Sequence, residues 1–180
     1  MSDIIRHHRD ERGVTLSHLE SGPADAPVII GLHGFLDTAS SFLPLMEALS
    51  DRWRWVVPDQ RGHGHSGHIG AGGYYHFPDY ALDLDGLYTH LGVESAILVG
   101  HSMGGIVAAY AMKEFGYGAR VRKLITLGTP WNGSKTHVFA WLREGYDLNP
   151  KGVVIQSLDG FQADTTAIWS RKDHLVLPTA

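Results

Sequence analysis

Residues Val99 to Gly105 read V-G-H-S-M-G-G, and Gly100 to Gly104 within them form a G-x-S-x-G between an apolar run and a small-residue stretch. The run before it, Ser95 to Val99, is apolar and β-branched over strand length, and Ile106 to Met112 (I-V-A-A-Y-A-M) is helix-prone and follows without a linker. Ser102 is therefore expected on a strand-to-helix turn. The serine backbone is strained in such a turn, and Gly100, Gly104 and Gly105 relieve the crowding around it. The turn holds a serine hydroxyl out at the end of a strand, which is what a nucleophile requires. Taken alone, the five residues also fit a glycine-rich turn with an incidental serine, so their context matters.

That context is a second glycine turn upstream. Pro27 to Leu32 (P-V-I-I-G-L) is a buried-strand run ending in His33-Gly34-Phe35-Leu36-Asp37. Acyl transfer needs two preorganised donors aimed at the developing oxyanion. A loop at the C-terminal end of a neighbouring parallel strand is where the second one belongs. The backbone N–H groups of Phe35 and Met103 are the candidates. His33 is expected to brace the loop through hydrogen bonds and not to act as a base.

Four motifs in order, L-H-G-F-L-D at 32–37, P-D-Q-R-G-H-G-H-S at 58–66, G-H-S-M-G-G at 100–105 and L-G-T-P-W-N-G-S at 127–134, resemble the α/β-hydrolase superfamily. The first two thirds of the chain is similar to compact esterase, lipase and cofactor-free haloperoxidase-like members. The L-G-T-P-W-N-G-S segment and I-W-S-R-K-D-H-L-V-L-P at 168–178 look more lipase-like. The resemblance implies an α/β fold, a three-layer sandwich with a mostly parallel central sheet and an N-terminal antiparallel hairpin, C-terminally truncated. It also implies a serine hydrolase acting on carboxylic esters through an acyl-enzyme, without a cofactor or metal. Epoxide and haloalkane hydrolysis are disfavoured, because those branches use an aspartate where Ser102 stands. Thioester or amide hydrolysis and perhydrolysis stay open.

The rest of the chain is consistent with one domain over residues 1–180. Ile4 to Asp10 and Val14 to Leu19 flank a turn at Glu11-Arg12-Gly13 and suggest the hairpin. Phe42, Leu43, Leu45, Met46 and Leu49 make a helix face before a strand at Trp53 to Pro58. Tyr80, Leu84, Leu87, Tyr88 and Leu91 recur at helical spacing, with Asp83 and Asp85 expected among solvated positions. Val121 to Leu127 and Thr165 to Ser170 read as further strands, and the alternation of strands with helices predicts right-handed parallel crossovers. Residues 131–164 occupy a short cap position. There Val138, Phe139, Trp141 and Leu142 fit either a small apolar lid or an ordinary packing helix.

Composition bounds the partners. The net charge is −4, and the 15 lysines and arginines are scattered without a basic run, which argues against nucleic acid or an anionic membrane. The chain has no cysteine, hence no disulfide or thiolate metal site, and a reducing cytoplasm is the expected setting. No run reaches the roughly 18 apolar residues of a membrane span. A small-molecule ester is the expected partner. His63, His65, His68 and His76 crowd one glycine-rich stretch, yet without an acidic or thiolate partner in pattern they are expected to order a loop beside the pocket and not to bind zinc.

A nucleophilic serine needs a base, and the base an orienting carboxylate. Asp173 follows the T-T-A-I-W-S strand, where the resembled lipases carry their triad acid. Asp159 and Asp164 are weaker alternatives because each precedes that strand. In this fold the histidine lies one further strand beyond the acid. The later His174 adjoins Asp173 and cannot readily complete the relay, and His101 is expected to point away from the serine. Two expectations follow. Either the chain is a fragment of an ester hydrolase, weakly active without its base and prone to self-association through an exposed sheet edge, or it is a degenerate scaffold that binds a ligand without catalysis.

Overall fold

The computed structural model describes residues 3–70, 75–133 and 148–169. Among them, seven strands form one sheet in the order β1-β2-β4-β3-β5-β6-β7: β1 (Ile5–Glu11), β2 (Val14–Ser21), β3 (Val28–Leu32), β4 (Arg54–Pro58), β5 (Ala96–His101), β6 (Val121–Leu127) and β7 (Thr165–Ile168). β1 and β2 form an antiparallel hairpin that joins β4 antiparallel, and all other pairs are parallel. The hairpin turn is two residues long. Arg12 and Gly13 both have positive φ, 48° and 78°, the combination whose twist matches the flanking strands.

Helices α1 (Leu43–Leu49), α2 (Phe77–Leu91), α3 (Met103–Glu114) and α4 (Val153–Ser157) cover the sheet. The layering follows from the two-residue period of the strands. Ile30, Val56 and Leu98 point to the face covered by α2, α3 and α4, where Leu84, Leu87, Ile106, Val107 and Ile155 meet them. Ile29, Trp55, Val57 and Val99 point to the other face, against Phe42 and Met46. β3 is buried at all five positions because both faces are covered. Each such side chain contributes about 1.5–3 kcal/mol of burial. Among the described residues, no helix is long and apolar enough to cross a membrane.

The hairpin is attached differently. Asp79, Asp83, Gly86 and His90 fall on one stripe of α2, and this stripe, not an apolar one, lies over β1 and β2. Asp83 is therefore not a solvated position as its helical spacing suggested. It is 8% exposed and takes Arg61 on both carboxylate oxygens, at 2.6 and 2.5 Å. Arg12 from the hairpin turn adds a contact at 2.6 Å, and Arg9 donates to the Asp83 carbonyl at 2.7 Å. Burial pushes the Asp83 carboxyl up, against the pull of these guanidinium groups. Asp85, by contrast, makes a half-exposed pair with Arg120 at 2.6 Å. Further along α2, His90 closes on His18, whose ring stacks on His7. His18 is buried and its Nδ1 has no hydrogen-bond partner. Burial, aided by His7, pulls His18 down to about 4.

Two outcomes follow. Asp83→Ala leaves Arg61 buried with only Asp79 at 3.7 Å and is expected to cost about 3 kcal/mol, against at most about 1 kcal/mol for Asp85→Ala, as read by chemical denaturation. His18 is neutral when folded, with a pKa of about 4 against an ordinary 6.5. Below pH 6.5 the unfolded chain takes up a proton that the folded chain refuses, so this share of stability is full above pH 6.5 and is lost between there and pH 4. His18→Leu should therefore flatten the fall in stability between pH 7 and pH 4.5 by about 2–3 kcal/mol in pH-resolved melts.

Candidate active site

Ser102 stands between β5 and α3 with φ 49° and ψ −120°, a left-handed-side conformation that a residue with a Cβ adopts only under constraint. The constraint is visible. The Ser102 N–H donates to the Leu127 carbonyl of β6 at 2.9 Å, and its carbonyl accepts the Gly105 N–H at 3.1 Å. The glycines around it are spacers. A Cβ on Gly104 would lie 2.0 Å from the Leu32 carbonyl oxygen of β3, one on Gly105 2.1 Å from Thr129 Oγ1, and one on Gly100 2.5 Å from the Gly105 Cα. Their absence lets the start of α3 sit directly on the C-terminal ends of β3 and β6. Met103 is the first residue of α3, where no intrahelical acceptor awaits its N–H.

Parallel pairing brings the other motifs to the same end of the sheet. Leu32 is opposite Gly100, and His101 is opposite Leu127. The loop His33–Asp37 thus runs beside Ser102, so close that a Cβ on Gly34 would lie 3.1 Å from the Ser102 Cβ. His33 is fully buried. Its Nε2 accepts the Gln60 N–H at 2.9 Å, so its Nδ1 donates to the Gly34 carbonyl at 2.7 Å, and the Gln60 side-chain amide donates to the His33 carbonyl at 2.7 Å. It braces the loop as the sequence suggested. Burial, partly offset by the Gly34 bond, pulls His33 down to about 4.

The histidine-rich segment also orders this region. Asp59 is buried and accepts from the N–H groups of Ala39 and His65, at 2.8 and 3.1 Å, and from Arg6 at 2.7 Å. His63 reaches across to the Leu36 N–H at 3.2 Å. His68 faces the Tyr75 hydroxyl at 3.4 Å, and the backbone N–H of His76 donates to Asp79 at the start of α2, at 3.4 Å. The sequence did not show a pair linking the loop after β3 to the serine turn, His101 Nδ1 and Asp37 Oδ2 at 3.4 Å, with both side chains partly exposed. Residues 64 positions apart carry no local pattern that would announce it.

The remaining candidates divide cleanly. Asp159 and Asp164 precede β7 and sit at its far end: the Asp164 carbonyl accepts the Leu124 N–H at 3.0 Å, and the Asp159 carbonyl accepts from Lys113. Neither is near Ser102. Asp173 and His174 lie outside the described residues, as do Val138, Phe139, Trp141 and Leu142. Of the cap-position segment, the described part packs inward: Val154, Ile155 and Leu158 join the core, and Trp131 stacks on Phe161 at 6.0 Å.

A mostly parallel sheet sandwiched by helices, with a positive-φ serine on the turn from β5 into α3, defines an α/β protein with a strained strand-to-helix serine turn. A family model described as alpha/beta hydrolase fold matches residues 27–150, and the chain belongs to that family. It is 43% identical over 101 residues to the 2-(acetamidomethylene)succinate hydrolase of Mesorhizobium japonicum, covering 56% of this chain and 35% of that protein. It is 36% identical over 104 residues to the bifunctional esterase/perhydrolase DCH of Acinetobacter calcoaceticus, covering 57% and 37%. The solved haloalkane dehalogenase DbeA of Bradyrhizobium elkani superposes with a TM-score of 0.66 at 29% identity, over 76% of this chain and 47% of that one. The chain spans about a third of the length of the curated relatives it matches.

The spacer role of the glycines has a direct check. Gly104→Ala must displace the Leu32 carbonyl or the helix and is expected to cost about 3 kcal/mol or more. Gly118→Ala, whose Cβ meets nothing within 4 Å, should stay within about 0.5 kcal/mol of the parent in the same denaturation series.

Proposed function

We propose that the chain carries the nucleophile and oxyanion-binding part of a serine hydrolase acting on carboxylic esters of small molecules. The observation that supports this most is the strained Ser102 at the start of α3, with the His33–Asp37 loop pressed against it. In this reading the Ser102 Oγ attacks the acyl carbon, and the carbonyl π electrons move onto oxygen. The Ser102 hydroxyl proton passes to a base, the N–H groups of Phe35 and Met103 stabilise the oxyanion, and its collapse expels the alcohol, whose oxygen takes up that proton. Water then releases the acid from the acyl-enzyme. A serine here, where the resembled epoxide and haloalkane branches use aspartate, favours acyl chemistry. The relative named as an esterase/perhydrolase supports the same class.

Asp173 is the proposed carboxylate orienting the base. The described histidines of the loops around Ser102 are each engaged elsewhere through at least one ring nitrogen. His33 uses both ring nitrogens on Gln60 and Gly34, His63 uses both on Leu36 and Arg61, and His101 faces Asp37. Without a base, serine triads lose about 10⁶ in kcat, while the oxyanion hole and binding retain about 10³–10⁴ over water.

The test is labelling by a fluorophosphonate, followed by intact mass and peptide mapping, with and without added imidazole as a diffusible base. Slow labelling confined to Ser102, accelerated by imidazole and lost in Ser102→Ala, is the expected result. Absence of a Ser102 adduct under both conditions would contradict the nucleophile assignment and favour a ligand-binding scaffold. Rapid labelling without imidazole would show that a histidine of this chain reaches the serine.

A further inference from the structure

The loop beside Ser102 carries a conformational anomaly. The Asp37 N–H donates to the Gly34 carbonyl at 3.3 Å, closing a four-residue turn with Phe35 and Leu36 at its centre. Leu36, the third residue of that turn, has φ 57°. A turn with positive φ at its third residue ordinarily places glycine there, because a Cβ is strained. Packing does not hold Leu36 in place, since it is 67% exposed. Its N–H donates to His63 Nε2 at 3.2 Å.

His63 is itself fixed for that task. Its Nδ1 lies 3.0 Å from the Arg61 carbonyl, which can only accept, so Nδ1 carries the proton and Nε2 is the acceptor. The ring meets His33 edge-on, with centroids at 5.2 Å, and Phe35 at 5.9 Å. Its backbone N–H is tied to the Gln60 carbonyl at 2.9 Å.

We propose that His63 is a positioning residue for the reaction at Ser102, whose imidazole acceptor locks the Phe35–Leu36 peptide in its strained orientation and so keeps the loop that carries the Phe35 donor in place. Without that acceptor, Leu36 relaxes to negative φ, the peptide between Phe35 and Leu36 flips, and the loop beside the serine shifts. This proposal rests on the nucleophile reading of Ser102 but is testable apart from it. A shift of about an ångström in a positioned donor slows reaction about tenfold to a hundredfold without weakening ground-state binding.

The experiment compares the parent with His63→Phe, His63→Gln and the double variant His63→Phe/Leu36→Gly. The readouts are the saturating rate and half-saturating concentration for fluorophosphonate labelling in the presence of imidazole, and the Leu36 amide and His63 ring nitrogens by NMR. His63→Phe keeps an aromatic ring but removes the acceptor. It should lower the saturating rate about tenfold or more at an unchanged half-saturating concentration, with the Leu36 amide shifted. His63→Gln restores an acceptor and should recover most of the rate. Glycine at position 36 removes the strain that the bond opposes, so the double variant should also recover part of it. Labelling of His63→Phe at the parental rate, or an unshifted Leu36 amide, would overturn the clamp. A parent that is not labelled at Ser102, but whose His63 Nε2 is unprotonated and whose Leu36 amide shifts in His63→Phe, would overturn the nucleophile reading and leave the clamp standing.

Discussion

The crowding at the junction of β5 and α3 is the constraint from which the rest of the site follows. A serine held at φ 49° is tolerable because the glycines at 100, 104 and 105 leave room around it, and because Leu127 accepts its N–H. The same glycines admit the Leu32 carbonyl and Thr129 to contact distance with the first turn of α3. The ends of three parallel strands and the start of one helix thereby converge on a single residue. Loosening any of these contacts would relax the backbone that gives Ser102 its orientation.

Around that junction the fold uses two different adhesives. The parallel strands and helices are held by apolar layers on both faces of the sheet. The hairpin and the loops near the serine are held by polar groups that are mostly buried. Asp83 gathers Arg61, Arg12 and Arg9, and Asp59 gathers Arg6 and two loop N–H groups, while His33 and His63 lace the loop after β3 to the loop after β4. Such networks contribute less net stability than apolar packing of the same volume, but a missing member leaves its partners buried and unsatisfied. They suit segments that must hold one geometry.

The sequence was most legible where structure is local. The alternation of strands and helices, the hairpin turn at Arg12-Gly13 and the elbow at Ser102 are written in residues within a few positions of one another. The brace at His33 was also legible, because a histidine just ahead of a glycine turn at a strand end has few other uses. Asp83 was not. Its place on the polar side of a helix reads as solvated, and only the folding back of a hairpin some 70 residues earlier in the chain buries it. His18 carried no sequence signal, since nothing within β2 shows that His7 and His90 close over it. The link between His63 and Leu36 spans two loops and depends on a backbone angle that no side-chain pattern encodes. The carboxylate expected at Asp173 rests on resemblance alone.

In the proposed reaction Ser102 and the amides of Phe35 and Met103 act as one preorganised acyl-transfer site. A crystal structure of the phosphonylated protein measures it directly, because the phosphonyl oxygen occupies the place of the oxyanion. The expected structure has phosphorus bonded to Ser102 Oγ, with that oxygen about 2.7–3.1 Å from both amide nitrogens. An adduct whose oxygen points to solvent, or to neither amide, would contradict it.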